Sequence, residues 1–156
     1  FTDQTVLLRY IRDALRIKQK YIEVDEFDRD IRNIFNYGHS FGHAIESATD
    51  FAVPHGIAVT IGMDMANRIA VLRNLLPEEH YHRMHGVLRK NYADFTSTII
   101  SVDSLLEALM KDKKNTATKL VLILPLGEDA RIERVQIAPD ELFRQQCQQT
   151  LAEILQ

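Results

Sequence analysis

Apolar residues recur at helical spacing from Val6 and Leu7 through Tyr10, Ile11, Ala14, Leu15, Tyr21 and Ile22, which predicts a long first helix over about residues 3–23 whose apolar face is interrupted by Lys18. A charged stretch, Asp25 to Asp30, follows. The same period resumes through Ile31, Ile34, Phe35, Gly38, Phe41, Gly42 and Ile45 and predicts a second helix, closed by a loop over residues 49–53. Pro54 suits the first turn of a third helix, because its fixed φ and missing N–H cost nothing there. Down that helix Ala58, Gly62, Ala66 and Ala70 lie four apart, a small-residue stripe that lets a neighbouring helix pack closely. Further helices are predicted over about residues 77–90, 102–111 and 139–155. Two apolar or alternating runs, 119–126 and 131–137, flank Gly127-Glu128-Asp129 and predict one β-hairpin. The expected fold class is mostly α, one helical domain over residues 1–156 with a small β-hairpin and no internal repeat or linker.

Composition narrows the function classes. The 156 residues are 46% hydrophobic and 26% charged, as in a globular protein with a sizeable core. The net charge of −3 and the lack of a basic, aromatic-interleaved patch exclude a nucleic-acid partner. No apolar run is long enough to span a bilayer and no secretory signal is present, so no membrane partner and a cytoplasmic location are expected. The single cysteine, Cys147, reads as a small buried hydrophobe, so any metal must take nitrogen and oxygen ligands. A first residue Phe1 that already reads as helix leads to the expectation that a segment upstream has been removed. None of the six glycines builds a G-x-G-x-x-G or P-loop, so a required nucleotide is expected to bind elsewhere in a longer protein.

The chemistry concentrates in Asn36-Tyr37-Gly38-His39-Ser40-Phe41-Gly42-His43-Ala44-Ile45-Glu46 and Pro54-His55-Gly56. On one helix His39 and His43 share a face, with Glu46 a turn further on, and His55 arrives from another segment. Three imidazoles converging from two elements suit a divalent cation or an anion. A site of two histidines and an acid is the other possibility, with Glu46 either that acid or a residue that holds an imidazole N–H. Arg32 and Asn36, four apart near the His39 stripe, and Lys18 are candidate donors to an anionic ligand. Asp112-Lys113-Lys114 reads as a surface run unless it lines the same cleft. His80, His82 and His85 sit among Glu78, Glu79, Arg83, Arg89 and Lys90 and read as a solvated face.

The run from Lys18 through Asp25-Glu26 and Arg32-Asn33-Ile34-Phe35-Asn36-Tyr37-Gly38-His39-Ser40-Phe41-Gly42-His43-Ala44-Ile45-Glu46 to His55-Gly56, Ala58-Val59 and Ile61-Gly62-Met63 resembles the C-terminal half of the 3-dehydroquinate synthase family. The likeness runs from about Lys18 to Asn67, with a weaker echo at Asp112-Lys113-Lys114. It implies a two-domain enzyme with an N-terminal NAD-binding domain that is absent from this chain. It also implies a helical C-terminal domain that supplies metal and substrate groups. By position, His39 and His55 are implied to be zinc (or cobalt) ligands, with a glutamate from the upstream part as the third. His43 is implied in proton transfer near the phosphate. Lys18, Arg32 and Asn36, with a lysine among Lys113, Lys114 and Lys119, are implied to contact the carboxylate, hydroxyls or phosphate of a phosphorylated sugar-acid substrate. The implied reaction closes a carbocycle with loss of phosphate in the shikimate pathway to the aromatic amino acids, and a homodimer is expected of the full-length protein.

Two positions depart from the family pattern: Ile57 where a glutamate follows His-Gly, and Asp30-Ile31-Arg32 where a glycine begins the triplet. Cyclases of the 2-deoxy-scyllo-inosose or sedoheptulose 7-phosphate type therefore stand as alternatives. A metal-dependent alcohol or glycerol dehydrogenase and a stand-alone metal-binding or interaction module are the others. A helical His/Asp phosphohydrolase is disfavoured because no His-Asp dipeptide occurs.

Overall fold

The structure, a computed structural model, describes residues 3–27, 31–112, 115–116 and 118–155. They fall into two compact units, residues 1–35 and 36–156. The first holds α1 (Gln4–Val24), started by Asp3, whose carboxylate accepts from the N–H groups of Thr5 and Val6 at 2.8 and 3.3 Å. No residue of α1 is buried within the unit. Its return loop is tied by Arg32, whose N–H donates to the Asp25 carboxylate at 3.1 Å and whose guanidinium donates to the Glu26 carbonyl at 2.6 Å. Tyr21 meets Phe35 edge to face, ring centroids 5.0 Å apart.

The second unit is built around α3 (His55–Leu72), which packs against α2 (His39–Ala48), α4 (Glu78–Tyr92), α6 (Glu141–Ile154) and strand β1 (Leu120–Leu126). Surrounded on so many sides, α3 is buried almost all round, with Ala58, Ile61, Met65, Ala66, Ile69 and Ala70 fully enclosed. Helix α5 (Val102–Met110) packs on α2 and α6. Strand β1 pairs antiparallel with β2 (Arg131–Ile137), Leu120 opposite Ile137 and Leu126 opposite Arg131. The uninterrupted apolar run of β1 reflects burial of both its faces, while β2 is mostly exposed. The Gly127 N–H donates to the Leu75 carbonyl at 2.8 Å, which pins the hairpin to the end of α3.

Five helices and the hairpin follow the sequence pattern to within a few residues. The stretch 31–45 does not. Residues Ile31–Asn36 form a 3₁₀ helix, Gly38 takes a left-handed conformation (φ 79°), and α2 starts afresh at His39. Eclipsed 3₁₀ side chains repeat every three residues, so Arg32 and Asn36 do not share the face that an α-helix would give them. Pro54 is the cap before α3 and His55 its first residue.

The small-residue stripe has a definite use. α2 and α3 run antiparallel with three glycines between them. A Cβ on Gly62 would lie 2.7 Å from the Gly42 nitrogen and against the Gly38 carbonyl. One on Gly42 would lie 2.9 Å from Val59 Cα, and one on Gly38 2.7 Å from the Val59 carbonyl oxygen. The obstacles are backbone atoms, which cannot swing aside.

Gly62→Ala is therefore expected to lower the unfolding free energy by about 3 kcal/mol or more. Gly86→Ala, on the open face of α4 with nothing within 4 Å of the new methyl, is expected to raise it by about 0.5–1 kcal/mol. Chemical denaturation of both variants checks the pair. Cys147 is fully buried and burial pushes its thiol up to about 12, so a thiol reagent is expected to label it only as the chain unfolds.

Candidate metal and substrate site

The glycine seam fixes where the histidines meet. α2 lies close along α3 in the opposite sense, so the end of α2 lies beside the start of α3 and Glu46 reaches His55, while the rings of His39 and His43, from the first two turns of α2, extend to meet the His55 ring. Their ring centroids form a near-equilateral triangle: 5.6 Å for His39 to His43, 5.7 Å for His39 to His55 and 5.7 Å for His43 to His55. His43 and His55 are exposed, and His39 is half-buried. One turn beyond His43, Glu46 brings both carboxylate oxygens to His55 Nδ1, at 3.1 and 3.2 Å.

These contacts define what each ring can do. With its proton on Nδ1, His55 donates to Glu46 and leaves the Nε2 lone pair free. His39 Nδ1 lies 3.4 Å from the Tyr37 carbonyl, the same arrangement with a backbone acceptor. Burial holds the His39 imidazole below its ordinary pKa; the Tyr37 carbonyl opposes this, and the neighbouring rings of His43 and His55 add to it. A neutral imidazole with a tethered Nδ1–H is the form that ligates a metal. The donor chemistry of the cluster therefore fits a divalent cation of the zinc or cobalt type.

His43 also lines a cleft of about 470 Å³ between α2 and α5, together with Ser40, Ser47, Lys111 and Asp112. Ser40, His43 and Ser47 are three and four apart, so the polar wall is a helix face that the sequence could have revealed. Asp112 does line the histidine cleft; Lys113 and Lys114 lie outside the described residues. Asn36 is half-buried at the end of the 3₁₀ turn. Lys18 and Arg32 belong to the first unit, Lys18 exposed on α1 and Arg32 holding the return loop. Ile57 packs against the apolar core, and Asp30 is not among the described residues.

The family model described as 3-dehydroquinate synthase C-terminal matches residues 1–115. The chain belongs to the 3-dehydroquinate synthase family. The 3-dehydroquinate synthase of Alkaliphilus metalliredigens is 33% identical over 141 residues, covering 90% of this chain and 39% of that protein. That of Sulfurimonas denitrificans is 39% identical over 123 residues, covering 78% and 35%. A crystal structure of 2-deoxy-scyllo-inosose synthase complexed with carbaglucose-6-phosphate, NAD+ and Co2+ superposes with a TM-score of 0.74 at 25% identity, over 96% of this chain and 41% of that one. The chain spans about two fifths of the length of these dehydroquinate-synthase-family relatives. No helix among the described residues is long and apolar enough to cross a membrane.

The second histidine group corrects its sequence reading in part. His82 is exposed and lies 3.7 Å from Glu78, but His85 is half-buried with Nδ1 2.6 Å from the Asp64 carboxylate. Asp64 is fully buried on α3 and also accepts from the Tyr92 hydroxyl. Beside it, the Tyr37 hydroxyl donates to buried Asn67. Removing one donor from a buried carboxylate leaves charge uncompensated, so Tyr92→Phe is expected to cost about 1.5–3 kcal/mol of stability. Thermal unfolding of the variant measures the loss.

Proposed function

We propose that these residues are the helical metal- and substrate-binding domain of a 3-dehydroquinate-synthase-like carbocyclase. The enzyme is cytoplasmic and, in its full form, a homodimer. It converts a phosphorylated keto-sugar acid to a carbocycle with loss of phosphate, in the shikimate route to the aromatic amino acids. The observation that supports this most is the convergence of His39, His43 and His55, with the Nδ1 atoms of His39 and His55 already engaged, in a chain that matches this family.

In this reading His39 and His55 offer Nε2 to zinc or cobalt, and a carboxylate from outside these residues completes the set. The chemistry such a cation supplies is polarisation of a substrate hydroxyl and a fall in its pKa. NAD supplies hydride transfer and is held mainly by a domain outside these residues, which contain no glycine-rich phosphate cradle of their own. His43, exposed at the edge of the cleft, carries a proton to or from a substrate oxygen. Lys18, Arg32 and Asn36 contribute donors to the carboxylate, hydroxyls and phosphate, and orient the anionic ends. Ser40, Ser47 and Lys111 on the cleft wall suit hydroxyl groups of a polyol.

A second reading rests on the fold likeness to 2-deoxy-scyllo-inosose synthase at 25% identity: the same chemistry on a different sugar phosphate. One experiment separates the two. The full-length protein, with NAD and zinc or cobalt, is offered 3-deoxy-D-arabino-heptulosonate 7-phosphate, glucose 6-phosphate and sedoheptulose 7-phosphate in turn, and phosphate release is followed with NMR identification of the product. Release from the first is expected, with kcat/KM reduced roughly 100-fold or more by His39→Ala. Release from only one of the other two transfers the assignment to that substrate. Hydride transfer to simple polyols without phosphate release favours a dehydrogenase and overturns the carbocyclase.

A further inference from the structure

His39 is steadied by a residue far from it in the sequence. The carbonyl facing His39 Nδ1 at 3.4 Å belongs to Tyr37. Tyr37 and Gly38 form the turn between the 3₁₀ helix and α2, and Gly38 is left-handed there. With no Cβ on Gly38, the Tyr37–Gly38 peptide plane can turn at little steric cost, which swings the carbonyl away from the ring. What holds residue 37 therefore decides whether His39 keeps its acceptor.

Tyr37 is held at its far end. Its ring packs against the apolar core, and its hydroxyl donates to Oδ1 of Asn67 on α3. Asn67 is fully buried, roughly three turns further along α3 than His55. A buried amide is costly unless its donors and acceptors are paired, and Asn67 Nδ2 has no partner among the described residues. On stability alone an apolar side chain would suit that position better. What the amide supplies and an apolar side chain cannot is an acceptor for the Tyr37 hydroxyl.

We propose that Asn67 is a positioning residue for His39. By holding Tyr37 it fixes the carbonyl that keeps the His39 proton on Nδ1 and the Nε2 lone pair free, the service that Glu46 performs for His55. Asn67 acts only through Tyr37. Its role rests on the preceding reading, in which His39 offers Nε2 to the cation, and it accounts for a half-paired amide in the buried middle of α3.

The test compares the full-length protein, labelled with ¹⁵N-histidine, with its Tyr37→Phe/Asn67→Leu and Asn67→Leu variants. Replacing both partners of a buried hydrogen bond by apolar groups of similar shape is nearly neutral for stability, so the double variant is expected to unfold at the wild-type denaturant concentration. In metal-free protein at alkaline pH, the ring ¹⁵N shifts of His39 are expected to move from the Nδ1–H form toward a mixture with Nε2–H. Those of His55, held by Glu46, are expected to stay in place. Zinc affinity, read by competition with a chelator, is expected to fall roughly tenfold. Asn67→Leu alone is expected to change the His39 shifts and the affinity in the same direction. Unchanged His39 shifts overturn the proposal. Equal movement at His55, the mark of general loosening, overturns it as well, and so does a His39 shift with zinc affinity unaltered. His39→Ala separates this failure from that of the preceding reading: full zinc affinity there overturns both, whereas a loss there with none in the double variant overturns the role of Asn67 alone.

Discussion

The contact on which the second unit depends is the backbone-to-backbone approach of α2 and α3 at Gly38, Gly42, Val59 and Gly62. Helices with ordinary side chains at a crossing keep their axes about 8–10 Å apart. Here the missing Cβ atoms let the carbonyl of Gly38 and the nitrogen of Gly42 sit against Gly62 itself. That separation lets a side chain as short as Glu46 reach His55, and brings His39 and His43 within ring contact of it. The glycines thus act on the chemistry through distance. Gly38 does so twice, because its left-handed φ also ends the 3₁₀ turn and aims the start of α2.

Much of this architecture was legible because it is periodic. α1, α3, α6 and the hairpin announce themselves through repeats of 3.6 or through paired apolar runs, and in the structure the carboxylates of Asp3 and Asp140 cap the starts of α1 and α6. The break at Gly38 was not legible. Ile31, Ile34 and Phe35 lead into Phe41 and Ile45 without a change of period, and a glycine inside a helical pattern signals nothing unless its φ is known. The stripe joining Arg32 and Asn36 to His39 fails for that reason. The histidine cluster survives the error because His39, His43 and Glu46 all lie after the break, on one true α-helix.

His85 went unread for a different reason. Glu78, Glu79, Arg83 and Lys90 along α4 are exposed, as their sequence suggests, yet its partner Asp64 is 21 residues away on another helix. A carboxylate at the fully buried middle of α3 is costly unless donors converge on it, and local sequence carries no record of such convergence. His85 and Tyr92 from α4 supply it, with Tyr37 and Asn67 forming a second polar contact nearby. An apolar α3–α4 contact could slide by a fraction of a turn at little cost. A buried carboxylate with two donors tolerates one register, so the polar group adds geometric definition where α3 must be held straight behind the site.

The same α3 carries both arrangements, and they divide its length. Its middle is fixed by glycine contact on one side and by the Asp64 network on the other, while its first turn, with Pro54, His55 and Gly56, is exposed. A metal ligand on a mobile loop loses affinity to the entropy of being ordered; a ligand in the first turn of a helix clamped a few residues later does not. His55 therefore combines an open approach for a ligand with a backbone that is already in place. His39, the first residue of α2 after the left-handed Gly38, has the same combination. A glycine seam that lays one helix closely along another is a compact way to bring imidazoles from separate helices to a single point.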